Sequence, residues 1–582
     1  MQHLSSPKHP WPAAGLLLLL LLLLAGPAVR AQAPAWQSAV ALLNSAGPPT
    51  GPGAPNPNVL YVSSTAADAS GNVYLAGNFR GIAQFTGVTT LTSRGASDVF
   101  VAKWNLAAAR FVWVQQAGGT GSDEATAVAV SGTSVYVAGF FGDAPATFGP
   151  IALANAGGKD GFVAKLTDAG ATSSFAWAQS IGGANADQAE GIAVSGSNVY
   201  LVGSFGGTAI IGPYSLRSVG NVDVFVARLT DQGTTADVAW ALRAGGVNGD
   251  RAVAVTVNGS NVYVAGEYTS LSADFGSSTI SNMNNYNGDI FVTKLTDTGS
   301  TGSFVWAQSA GGNDREYLRA IAVSGSNVYI AGSFGGAAAF GPLTVTAVGA
   351  ADNLFVAKLT DAGTTGSFGW VQRGGAANYP ALALALAVQG TNVYVTGGFT
   401  GAAADFGPTI LTSANLYDIV VAKLTDAGST GSFVWAQRAG GGGNDAAISI
   451  MLMGSSIYVA GYVTAAPTAS FGSLTLTGPN GYLISYLAAL TDPTLTATTA
   501  ARGSFSFTLA PNPARASTTV QLPNLPSPAT LTLLDAMGRA VRTRPATPGT
   551  RTEFDLSGLA PGPYALRATA GAASATQRLV VE

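Results

Sequence analysis

The stretch Asn198-Val199-Tyr200-Leu201-Val202-Gly203 decides how the rest of the chain is read. Its tyrosine recurs in nearly the same company at Tyr74, Tyr136, Tyr200, Tyr263, Tyr329, Tyr394 and Tyr458, at intervals of 62 to 66 residues. Self-similarity at a fixed period marks a repeat architecture rather than a string of unrelated domains. Each unit holds four short apolar runs of strand character, which in the second unit are 127–130, 135–141, 160–166 and 175–179. Ser131-Gly132-Thr133-Ser134 joins the first pair, and Thr167-Asp168-Ala169-Gly170 opens the connection of the second. Both read as hairpin turns, with glycine supplying the positive φ that such turns need. Four antiparallel strands per unit, apolar on both faces and free of helical periodicity, predict an all-β fold, a seven-bladed β-propeller. The rival, a parallel β-helix, has much shorter rungs than this period.

Tryptophan predicts how the ring closes. Trp113, Trp177, Trp240, Trp306, Trp370 and Trp435 each sit in a fourth strand, but the seventh unit stops after its third, 484–490. The segment Ala35-Trp36-Gln37-Ser38-Ala39 matches Val434-Trp435-Ala436-Gln437, so the N-terminal strand is expected to complete the last blade and remove the open sheet edges. The blades then run over about 58–117, 122–181, 186–244, 250–310, 316–374, 381–439 and 445–492, the last completed by 34–42. This places the propeller at 32–492, a Pro/Thr/Ala linker at 493–504 and a small β-sandwich domain at 505–582.

The chain has 582 residues, a net charge of −3, 10% charged residues, no cysteine and two histidines, His3 and His9. Residues 1–31 read as a secretory signal peptide: a cationic start ending at Lys8, the run Leu16–Leu24, and a small-residue cleavage site between Ala31 and Gln32. That run is too short to cross a hydrocarbon layer of about 30 Å, and no other apolar run approaches the required length. The mature chain would contain neither His nor Cys. Ser-His-Asp and Cys-His catalysis, zinc held by imidazole or thiolate, and disulfides are thereby excluded. Few cations, and no cluster of them, argue against nucleic acid as a partner. No cofactor is predicted, and oxygen-ligated calcium is the one ion that the residue types admit.

Two resemblances add to this reading. The run Asp187-Gln188-Ala189-Glu190-Gly191-Ile192-Ala193-Val194, with Asn198-Val199-Tyr200 and Asp223-Val224-Phe225-Val226-Ala227-Arg228-Leu229, resembles the bacterial propeller repeats called SBBP, over about 34–492. That resemblance implies a fold and no particular activity. Leu509-Ala510-Pro511-Asn512-Pro513, Leu534-Asp535-Ala536-Met537-Gly538-Arg539, the block from Asp555 to Tyr564, and Leu579-Val580-Val581 resemble the type A C-terminal sorting domain of type IX secretion. It departs mildly at Ala510, where an aromatic residue is common. The resemblance implies passage across the outer membrane of a Bacteroidetes-like cell, the secretion machinery as a partner, and a secreted or outer-surface attached protein.

Candidate site residues come from the two faces of the expected propeller. Long connections at 80–97, 142–159, 269–288 and 401–417 share one face, where binding loops are expected. The most polar of them offers Asn282, Asn284 and Tyr286 to a neutral glycan. Thirteen residues before the repeat tyrosine stand Asp123, Asp187, Asp250, Glu316 and Asp445, replaced by Tyr61 and Ala381 in two units. They read either as a ring at the channel mouth, able to hold calcium or a polyhydroxylated ligand, or as acceptors for their own blade-to-blade turns. The third strands carry Lys103, Lys165, Arg228, Lys294, Lys358 and Lys423, whose recurrence points to buried stems with paired heads. The expected function is non-enzymatic adhesion to a surface glycan or protein. The alternatives are a carbohydrate-active enzyme working through carboxylates and a structural surface protein without a ligand.

Overall fold

The computed structural model describes residues 34–44, 59–68, 70–142, 144–282, 287–464, 468–478, 483–495, 507–523, 529–534, 540–570 and 573–582. The expected signal peptide and its Ala31–Gln32 cleavage site lie outside them, as do Asn284 and Tyr286. Every named element is a strand, and no helix among the described residues is long and apolar enough to cross a membrane. The chain divides into two compact units, 1–495 and 496–582.

The first unit is a propeller-like array of small antiparallel sheets. In the third repeat Gln188–Ser195, Asn198–Phe205, Asp223–Asp231 and Ala236–Gly246 pair in that order. Val199 to Phe205 are all buried, because sheets cover both faces of the second strand. In the last repeat the order is Ala446–Met453, Ser456–Thr464, Leu483–Thr491 and then Ala35–Asn44. The N-terminal strand runs antiparallel to the third, with Trp36 opposite Leu490 and Val40 opposite Leu487. The Trp36 ring meets Phe471 edge-on at 5.1 Å. This last sheet also touches the first repeat: the hydroxyls of Thr65 and Ser449 lie 2.7 Å apart, and Ser485 Oγ donates to the Leu60 carbonyl at 2.9 Å.

Each repeat has six strands, not the four expected. The long connections fold into hairpins, such as Ala337–Phe340 with Leu343–Thr346 and Thr208–Ile211 with Tyr214–Arg217. Five of them pair with the fourth strand of the preceding repeat, as Ile211 does with Ile181 and Phe340 with Ala310. The hairpins therefore staple neighbouring sheets together. Their signal is a recurring Ala-x-Phe-Gly, seen in 146–149, 273–276, 338–341, 404–407 and 469–472. The aromatic inserts beneath the fourth strand, where Phe340 meets Phe368 at 5.4 Å. The glycine takes the positive φ of the turn, 58° at Gly341.

A second device repeats at the inner strands. Each has a register shift against its partner that leaves one residue extra: Ser63, Thr126, Glu190, Val253, Arg319, Leu384 and Ile448. The glycine of the repeat motif makes room for this bulge. A Cβ on Gly203 would run into the carbonyl oxygen of Gln188, and Gly77, Gly139, Gly266, Gly332, Gly397 and Gly461 stand in the same relation to their inner strands. Bulges re-aim side chains, and here they aim seven of them at one place.

Adjacent repeats are also latched by charge. The Asp168 carboxylate, in the turn after the third strand of the second repeat, accepts from Tyr74 Oη at 2.6 Å, Lys103 Nζ at 2.6 Å and Trp113 Nε1 at 3.0 Å, all from the first repeat. The set recurs at Asp231, Asp297, Asp361 and Asp426. Asp492 takes Tyr394 and Lys423. The third-strand cations thus pair with the next repeat's turn. Their carboxylate partners have pKa values below the usual range, because bonds from lysine or arginine, tyrosine and tryptophan outweigh the opposing effect of burial.

The second unit packs a three-stranded sheet, Thr508–Ala510, Ser517–Gln521 and Arg551–Asp555, with a four-stranded one built from Ala529–Leu534, Ala540–Ala546, Gly562–Ala570 and Ala573–Val581. Val520, Leu531, Leu533, Phe554, Leu566 and Leu579 form the core between them. Asn512 ties the Pro-Asn-Pro stretch to the last strand, donating to the Arg578 carbonyl at 2.7 Å and accepting from the Val580 amide at 2.9 Å.

Candidate ligand site at the central cavity

The five acidic residues read as a channel-mouth ring are buried, each at 0–1% exposure. Four of them cap backbone amides of their own turns. Asp123 accepts from Gly119 and Gly142, Asp187 from Gly183 and Gly206, and Asp445 from Gly441 and Thr464. Asp250 accepts from Gly246, Thr269 and Ser270. Glu316 differs, because both its oxygens lack a well-formed hydrogen bond and only the Gly312 amide approaches as a donor. Asp123, Asp187, Asp250 and Asp445 thus act as turn acceptors, and all five carboxylates are enclosed. Among the described residues no three acidic side chains gather as a metal-holding group.

Burial, the leading cause, raises these groups. Asp123, Asp187 and Asp445 stand at about 6, with a second aspartate adding repulsion in each case: Asp98, Asp160 and Asp418. Asp250 is raised as well, by burial, against the bonds from the Gly246 amide and Ser270. Glu316 is pushed to about 8, with the charge of Asp289 as the second cause. Asn282, from the polar loop, is also closed: it is 3% exposed and its Nδ2 donates to the Asn287 carbonyl at 2.6 Å.

The seven bulge residues come together instead. They line one cavity of about 470 Å³, bordered by the inner strand of every repeat. Ser63, Thr126, Glu190 and Arg319 make part of its wall polar, while Val253, Leu384 and Ile448 make the rest apolar. Glu190 keeps a raised pKa, since burial outweighs the attraction of Arg251 and Arg319.

Beside the cavity lies a charged cluster on the fourth and fifth repeats. Glu267, 3% exposed, accepts from Arg319 at 3.1 Å and from the Leu318 amide at 3.2 Å. Arg251 and Arg315 stand off its carboxylate at 3.5 and 3.6 Å. The guanidinium groups of Arg315 and Arg319 lie over the Tyr317 ring, 4.7 and 5.3 Å from its centre. None of these residues was singled out in the sequence. The signal was there in the tenth residue before each repeat tyrosine, which is Thr126, Glu190, Val253, Arg319, Leu384 and Ile448 in the later repeats, and in Ser63, eleven before Tyr74, in the first.

Residues 508–582 match the secretion system C-terminal sorting domain family. The chain is a secreted or outer-surface attached protein. The same match makes the type IX secretion machinery a partner of the second unit. No curated protein matches the chain. Among solved structures that match is a Trypanosoma rangeli sialidase in complex with sialic acid, at 10% identity and a TM-score of 0.28, covering 89% of this chain and 83% of that one. A likeness of that size carries no argument about activity.

Proposed function

We propose that this chain is a non-enzymatic binding module of the cell surface, a seven-bladed propeller closed by its N-terminal strand and delivered by its sorting domain. The pairing of Ala35–Asn44 with Leu483–Thr491 and the contacts from that sheet to Leu60 and Thr65 support the closed ring. The resemblance to SBBP repeats agrees with the fold and brings no activity with it. The site is the central cavity, and the ligand is a surface glycan or protein. One observation carries the reading: scaffold positions recur from repeat to repeat, whereas the seven residues aimed into the cavity differ in size, polarity and charge. A scaffold role would recur. A site for a single ligand need not.

The test is binding of the secreted chain to glycan and surface-protein arrays, repeated with Leu384→Trp to fill the cavity from its apolar side. Saturable binding that the variant abolishes is the expected outcome. Binding indifferent to the substitution would overturn the site. Turnover of a bound polysaccharide that Glu190→Gln removes would favour the enzymatic alternative.

A further inference from the structure

We infer that Arg251, Arg315 and Arg319 form an anion-recognition subsite for the carboxylate of a uronate-bearing polysaccharide at the rim of the central cavity; this rests on the binding reading above. Three guanidinium groups gather on a single carboxylate, Glu267, and that carboxylate satisfies few of their donors. Each guanidinium carries five N–H donors. Arg319 Nη1 donates to Glu267 and to the Leu318 carbonyl, Arg251 and Arg315 approach only at 3.5 and 3.6 Å, and Arg251 Nε is buried without a hydrogen-bond partner. Glu267 Oε2 is likewise buried without a hydrogen bond. Three cations face two carboxylates, the buried Glu267 and the nearby Glu190, which still leaves a positive excess, with side chains 42%, 52% and 34% exposed and able to take a further oxyanion. Guanidinium forks suit planar carboxylates in paired hydrogen bonds.

The cluster departs from the repeat. Where the fourth repeat has Glu267 the others have Asn78, Phe140, Ser204, Ser333, Gly398 and Tyr462, and where the fifth has Arg319 and Arg315 no other repeat has arginine. A structural ion pair of this fold would recur, as the Asp168-type latches do.

The surroundings select a saccharide over other polyanions. The aromatic ring that lies at this cluster is Tyr317, half-buried and stacked by Arg315 and Arg319, and it borders the subsite with an apolar surface that a sugar ring can meet. A carboxylate carried on a sugar brings a planar oxyanion to the guanidinium groups and neutral hydroxyls to Ser63 and Thr126 in the cavity wall.

The experiment measures binding of the full secreted chain to oligomers of galacturonate, alginate and hyaluronan, to methyl-esterified oligogalacturonate and to poly-glutamate. Wild type is expected to bind at least one uronate oligomer, with affinity falling as salt rises. Arg251→Gln with Arg315→Gln is expected to weaken that binding about 10- to 100-fold, the size of losing hydrogen bonds to a charged group. Both side chains are more than a third exposed and Arg319 keeps its bond to Glu267, so the variant should still fold and melt cooperatively. Equal binding by the double variant, equal binding of the methyl ester, or preference for poly-glutamate would each overturn the subsite. Binding of neutral glycans alone, abolished by Leu384→Trp, would overturn the subsite and leave the cavity standing. An array on which nothing binds would remove both.

Discussion

At the scale of single residues, the fold stores carboxylates in two opposite electrostatic states. The latch aspartates are ionised more readily than usual, so the stability they supply is present above the unfolded value of 3.8 and is lost as pH falls through their lower folded values. The turn aspartates and Glu316 work the other way. Glu316 has a folded pKa of about 8 against 4.5 unfolded, so both states hold its proton in acid. Between those values the unfolded chain ionises first, and stability declines as pH rises until about 8. Together the two sets place the stability maximum in mild acid. Glu316→Gln keeps the shape and removes the titration. At pH 4 it should match wild type in urea melts, and at pH 8.5 it should exceed it by about 1–3 kcal/mol. Parallel pH curves for the two proteins would show that Glu316 is not the group responsible.

At the scale of elements, the hairpins matter more than their length suggests. Ala337–Phe340 adds two strands to Gly302–Gly312 of the repeat before it and buries Phe340 completely against Phe355 and Phe368. Phe340→Ala should cost about 3–5 kcal/mol, read as a lower denaturation midpoint, while Thr344→Ala on the outward strand should change little. Equal effects would show that the hairpin is a loose surface loop. The sequence carried the four main strands of each repeat legibly because tyrosine, tryptophan and the Phe-Val-Ala-Lys run recur at one spacing, and the complementing strand followed from where Trp36 stands. It hid the hairpins, because three- and four-residue strands alternate too briefly to announce themselves. It hid the candidate site for a different reason. Repetition draws the eye to Asp187 and Asp250, which the structure buries in turns, whereas Glu190 and Arg319 gain meaning only when bulges turn seven unlike side chains toward one cavity.

At the scale of the molecule, the junctions between repeats are unequal. Six carry an aspartate latch, but the one joining the last repeat to the first does not. At the position of the Asp168 carboxylate the first repeat has Leu106, and at the position of the lysines the last has Ala489. Trp36, standing for the other tryptophans, has its indole N–H buried without a partner. This junction is held instead by apolar packing through Leu42, Leu60, Trp104, Met451 and Leu487, with the uncharged Thr65–Ser449 and Ser485–Leu60 hydrogen bonds beside it. Unlike its counterparts, its outermost strand also comes from a distant part of the chain, joined to the rest of its sheet by strand pairing and the Trp36–Phe471 contact rather than through a turn. Local opening follows the weakest contacts, so the proposed ring should part here first. Hydrogen exchange should show the amides of Ala35–Asn44 and Val59–Ala67 exchanging faster than those of Ala236–Gly246 and Asp250–Asn258, their equivalents at a latched junction. Removal of residues 32–45 should lower the denaturation midpoint further than Phe340→Ala does, since it exposes Leu483–Thr491 as a bare edge beside an unlatched neighbour. Uniform protection around all repeats would mean that apolar packing at this junction equals an aspartate latch. The seam would then be no weaker than any other boundary.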